Sequence, residues 1–109
     1  MDTAAFAQLR KFIDKVARAY KIHDAIFFGS RARGDYLEHS DVDLIVVSDD
    51  FDGVFFPDRS TAMYKFWDGG LSLEVLCYTV KEFEKKKRMI GLVQDAAKEG
   101  ISLRSVMSN

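Results

Sequence analysis

The sequence predicts a small α/β (α+β) fold, a mixed sheet of three to four strands with helices packed against it. Short β-prone apolar runs at 25–28, 41–47 and 71–78 are separated by segments whose apolar residues recur at helical spacing. The 109 residues are 48% apolar and 30% charged, which suits one domain spanning 1–109 and leaves no room for a second full-sized core. Uninterrupted apolar runs such as 25–28 and 44–47 are four residues long, against the roughly 20 needed to span a bilayer.

Over residues 2–20, Phe6, Leu9, Phe12, Ile13, Val16, Ala17 and Tyr20 lie three or four apart, which predicts a helix with one buried stripe, capped by Asp2 or Thr3. The run 25–28 reads as a buried strand that stops at Gly29 and feeds a short helical turn over 30–34. Residues 41–47 alternate and then become continuously apolar, as expected of a central strand. Acids, Gly53 and Pro57 mark 48–58 as a loop, within which Val54, Phe55 and Phe56 need apolar cover. A short helix over 60–67 would end at Gly69-Gly70, and 71–78 is the third strand. Thr79-Val80-Lys81-Glu82 is a capping-box pattern that opens another helix. Gly91 marks a break before a last helix that runs to Glu99, with Gly100 as its cap and 101–106 as a possible fourth strand.

With 16 basic and 17 acidic side chains the net charge is −1, so no global field recruits nucleic acid or an anionic membrane. Direct nucleic-acid binding is therefore not expected, and an anionic ligand must be held locally. Cys77 has no partner for an internal disulfide, and His23 and His39 make no zinc-type spacing with it. A chain that opens with an acid and an amphipathic pattern, without a basic then apolar leader, is expected in the cytoplasm.

The chemistry concentrates between Phe27 and Val47. Gly29 and Ser30 fall where a strand passes into a helical turn, with free backbone N–H groups and the positive end of the helix dipole. Gly29 permits close approach, Ser30 adds a hydroxyl, and Arg31 and Arg33 add local positive charge, together a candidate triphosphate cradle. Asp41 and Asp43 alternate on the predicted strand, so both carboxylates project from one face while Val42 and Leu44 point into the core. A divalent cation relieves the repulsion of such a pair, and oxygen ligation favours Mg2+, with Mn2+ possible. Glu74 places a third acid in the apolar strand Leu71-Ser72-Leu73-Glu74-Val75. If that strand lies beside the second, Glu74 completes a site for two metal ions.

The run G-S-R-A-R-G followed by S-D-V-D-L resembles the minimal nucleotidyltransferases of the DNA polymerase beta superfamily. The resemblance implies that Gly29 and Ser30 hold a nucleoside triphosphate and that Asp41 and Asp43 bind two Mg2+ ions. Glu74 would complete the site as candidate base; the superfamily often has Asp there, one methylene shorter. The implied reaction moves AMP from ATP to a hydroxyl acceptor, with pyrophosphate leaving. The resemblance also implies a HEPN-type partner protein, either as acceptor or as an RNase toxin neutralised by complex formation. The second alternative makes the chain a non-catalytic, antitoxin-like binding module.

Blander readings stand beside these. Gly-Ser pairs are common in turns, Asp-x-Asp in solvated strand starts, and Glu74 could be a charge that blunts an edge strand. The aromatics Phe55, Phe56, Tyr64, Phe66 and Trp67 read as core or interface, His23 and His39 as surface residues, and Cys77 as a buried apolar one. Residues 85–88 are four consecutive cations, a solvated helix face or a docking surface for an acidic partner. The spacing leaves homo- or hetero-oligomers open.

Overall fold

A computed structural model describes residues 1–107. The elements run α1 (Thr3–Ala19), β1 (Asp24–Phe28), α2 (Ser30–Arg33), β2 (Val42–Val47), α3 (Phe56–Tyr64), β3 (Leu73–Tyr78), α4 (Val80–Lys86), α5 (Leu92–Glu99) and β4 (Ile101–Ser102), with 3-10 turns at Asp49–Phe51 and Arg104–Val106. The strands form one mixed sheet in the order β3-β2-β1-β4. β1 and β2 are antiparallel, β2 and β3 parallel, and β4 adds a short antiparallel pairing to β1.

Period-two alternation sends the central strands' side chains to two different layers. Ala25, Phe27, Val42, Leu44, Val46, Val75 and Cys77 face α1, whose Leu9, Phe12, Ile13 and Val16 form the buried stripe. Burial pushes the Cys77 thiol up to about 12, so it packs as a small apolar group and is no nucleophile. Ile26, Ile45, Val47 and Tyr78 face the other way, onto Phe83 of α4 and Val93 and Ala96 of α5. Both faces of β2 are thus covered over Leu44 to Val47, which explains its continuous apolar run.

Caps set several boundaries. Asp2 accepts from the N–H groups of Ala4 and Ala5 at 3.1 Å and starts α1. Thr79 and Glu82 form the reciprocal capping box of α4. The Glu82 carboxylate also receives the buried Arg59 guanidinium at 2.6 Å, and that hydrogen bond, with those of Thr79, holds its pKa below the ordinary range. Gly100 closes α5, its N–H donating to Ala96 O at 2.7 Å.

The segment around Pro57 departs from the sequence expectation. The proline sits in the first turn of α3, where its missing N–H does no harm, so the helix begins at Phe56 and stops at Tyr64. Residues 48–58 are accordingly a 3-10 turn, a short link and the start of a helix. Phe51 is fully covered, whereas Val54, Phe55 and Phe56 remain exposed. Trp67 lies beyond the helix, edge-on to Phe12 at 5.7 Å, its indole donating to Leu71 O at 2.9 Å. The fourth strand is two residues long because the chain turns into 3-10 geometry at Arg104.

Leu44 is wholly buried between α1 and the sheet. Leu44→Ala is expected to cost about 2–5 kcal/mol through lost burial and a residual cavity, measured as a fall in the urea midpoint at unchanged m-value.

Candidate active site

The antiparallel register sets Phe28, the last residue of β1, opposite Asp43 of β2. The chain must turn sharply after Phe28 to enter α2, and Gly29 does so at φ 83°, in the left-handed region that favours glycine. A Cβ at Gly29 would overlap the Asp43 carboxylate and lie 3.1 Å from its Cγ. Glycine is therefore required here for backbone conformation and for space together. The first helical bond of α2 runs from Arg33 N–H to Gly29 O at 3.1 Å, so the N–H groups of Ser30, Arg31 and Ala32 precede it and have no partner within the helix.

A cavity of about 600 Å³ opens at this corner, lined by Phe28, Gly29, Ser30, Ala32, Arg33 and Asp43 on one side and by Gly91, Leu92, Asp95, Ala96 and Glu99 on the other. Its size falls within the range of small-ligand sites. The α5 wall is absent from the sequence expectation. Val93 and Ala96 mark the buried stripe of α5 and leave Asp95 and Glu99 on its open side, a pattern legible as amphipathic. That this helix would face Gly29 follows only from the tertiary packing.

The three acids gather at one end of the sheet. β2 begins at Val42, so Asp41 is the last residue of the preceding loop and not a strand residue; it is exposed. Asp43 is half-buried, and the parallel register sets Glu74 directly beside it. Burial, then the charges of Glu74 and Asp41, push the Asp43 pKa up to about 6, while Arg33 pulls it down. Asp41 and Glu74 stand outside the cavity lining, and among the described residues no three His, Cys, Asp or Glu side chains are already drawn together around a metal position. The donor set nonetheless fits a hard divalent cation: the charges of Glu74 and Asp41 disfavour the ionised Asp43 carboxylate, and a cation relieves the same repulsion.

The two arginines separate. Arg33 is half-exposed, paired with Asp35 at 3.2 Å, and lines the cavity. Arg31 does not. Its side chain is 4% exposed, points away from the cavity and pairs with Asp2, which corrects its expected place in the phosphate cradle. A charge neutralised inside the protein is not available to a ligand.

The Asp43 shift fixes a pH dependence. The unfolded residue titrates near 3.8 and the folded one near 6, so the stability of the neutral carboxyl is present below pH 4 and is lost as pH rises through 6. Asp43→Asn should be more stable than the parent at pH 7.5, by about 1–2 kcal/mol after solvent screening, and so melt higher there, while melting at nearly the same temperature at pH 4. Differential scanning fluorimetry across this range checks it.

The fold agrees with known proteins. The family model described as nucleotidyltransferase domain matches residues 9–103. A Methanocaldococcus jannaschii protein, provisionally assigned as a protein adenylyltransferase, is 45% identical over 49 residues, which are 42% of this chain and 49% of that protein. The aligned region thus spans about half the length of that relative. The crystal structure of a provisionally assigned nucleotidyltransferase from Sulfolobus solfataricus matches with a TM-score of 0.64 at 23% identity, covering 93% of this chain and 83% of that one, a likeness of fold. From α1 to the residue after β4, Gly29, Ser30, Asp41, Asp43 and Glu74 all lie inside the matched region, and the chain belongs to the nucleotidyltransferase domain family.

Proposed function

We propose that this protein is a divalent-metal-dependent nucleotidyltransferase that moves AMP from ATP to a hydroxyl of a second substrate, with a HEPN-type protein as acceptor. The observation that carries this reading is the shared corner: the Gly29–Ser30 turn and Asp43 line one cavity and stand in van der Waals contact. On this reading the N–H groups of Ser30 and Ala32 and the Arg33 guanidinium receive the polyphosphate. Asp41, Asp43 and Glu74 would hold Mg2+ or Mn2+, which supplies charge neutralisation at the phosphates and a lowered pKa at the attacking hydroxyl. The chain's own part is to fix the α-phosphate beside the acids and to offer Glu74, exposed at the rim, as acceptor of the hydroxyl proton. The single thiol, which is buried, fits a reducing, cytoplasmic setting; among the described residues no helix is long and apolar enough to cross a membrane.

A second reading, a non-catalytic module that silences an RNase partner by binding, is favoured by the exposed Met89, Ile90 and Leu92, which line one surface hollow. The two readings separate in one experiment. The chain is incubated with ATP and Mg2+ beside a candidate HEPN-type protein, and the products are followed by pyrophosphate release and intact-protein mass. A mass gain of one AMP supports transfer; Asp41→Ala and Asp43→Ala should each reduce its rate by at least about 100-fold. Neutralisation that persists in both variants without AMP attachment would support the binding module.

A further inference from the structure

Resting on the metal-dependent reading above, we infer that Arg31 is a positioning residue of the active site: it ties the loop that delivers Asp41 to the start of α1. From one buried side chain, Nε donates to Ser40 O at 2.8 Å, and Nη2 donates to Glu38 O at 2.9 Å and Leu37 O at 3.4 Å. Nη1 donates to the Asp2 carboxylate, and the guanidinium lies over the Tyr36 ring, 4.6 Å from its centre. The backbone repeats the link, Asp2 N–H donating to Arg31 O at 2.8 Å.

The loop needs this anchor. Residues 35–39 are exposed, and their other bonds are internal, between Leu37 and Ser40, or the exposed pair of Asp35 with Arg33. Asp41 follows Ser40 directly, and the β2–β3 ladder takes hold only at Val42, whose N–H donates to Ser72 O at 2.8 Å. The charges of Asp43 and Asp41 repel each other, and the Arg31 fork holds Ser40, the residue adjacent to Asp41, against that push. A planar guanidinium reaches three carbonyls and a carboxylate at once, which a lysine ammonium cannot. Asp2 is thereby joined to the site through Arg31, although it touches neither cavity nor acids.

The test uses the full chain with Mn2+ as probe, its free concentration read by electron paramagnetic resonance. Arg31→Lys should weaken Mn2+ binding about tenfold or more and lower kcat more than it raises KM for ATP. Asp2→Asn and Asp2→Glu divide the two roles of Asp2. Asn keeps a good helix cap and loses the charge; Glu keeps the charge and weakens the cap. Asp2→Asn should therefore weaken Mn2+ binding, while Asp2→Glu should lower the melting temperature in EDTA and leave Mn2+ affinity within about twofold of the parent. Should Arg31→Lys not fold, the Asp2 pair decides alone. Variants that melt lower yet bind Mn2+ as the parent does would overturn the inference and leave the metal-dependent reading standing. A parent that neither binds Mn2+ nor releases pyrophosphate would overturn that reading, and this inference with it.

Discussion

Everything at the candidate site depends on the close contact between Gly29 and the Asp43 carboxylate. The register that pairs Phe28 with Asp43 brings the turn after β1 against an acid on the neighbouring strand. Only a residue without a side chain allows it, since any Cβ would occupy the carboxylate's place and the backbone is already at positive φ. One geometric condition therefore joins a turn rich in N–H donors to a carboxylate group, two surfaces of opposite electrostatic preference. A polyphosphate accompanied by cations satisfies both, which neither part alone would require.

The two faces of the sheet divide stability from chemistry. The face toward α1 is closed along its whole length by large apolar side chains and supplies the larger part of the core. The opposite face is covered by α4 and α5 only where Ile45, Val47 and Tyr78 lie. Asp43 and Glu74 belong to this second face but precede the covered part, so Asp43 is only half-buried and stands beside the Glu74 charge, which adds to the effect of burial on its pKa. The perturbed Asp43 follows from a partly buried acid among other acids, a local conflict of the kind that marks functional sites.

Cationic side chains show how burial reassigns a residue. Arg59 and Arg31 are both nearly inaccessible, and each satisfies backbone carbonyls together with one carboxylate. Arg59 covers Cys77 O on the edge strand β3 and holds the capping-box Glu82, so a strand edge and a helix start share one guanidinium. Arg31 does the same for a loop and α1. Both are expensive to bury alone and become stabilising only because their partners are preorganised.

The sequence alone was sufficient for what depends on near neighbours. Helical spacing from Phe6 to Val16, the Thr79–Glu82 capping box and the passage from strand to Gly29 are written within a few residues, and the structure keeps each of them. At Pro57 the sequence is ambiguous, because a proline serves a loop and the first turn of a helix equally well. The tertiary structure decided what depends on distant residues: that Glu74 stands beside Asp43, that α5 forms the second wall of the cavity, and that Arg31 turns inward to Asp2 while Arg33 turns outward. Two arginines in one short turn have the same local propensities; the Asp2 carboxylate, 29 residues away, and the carbonyls of Leu37, Glu38 and Ser40 distinguish them.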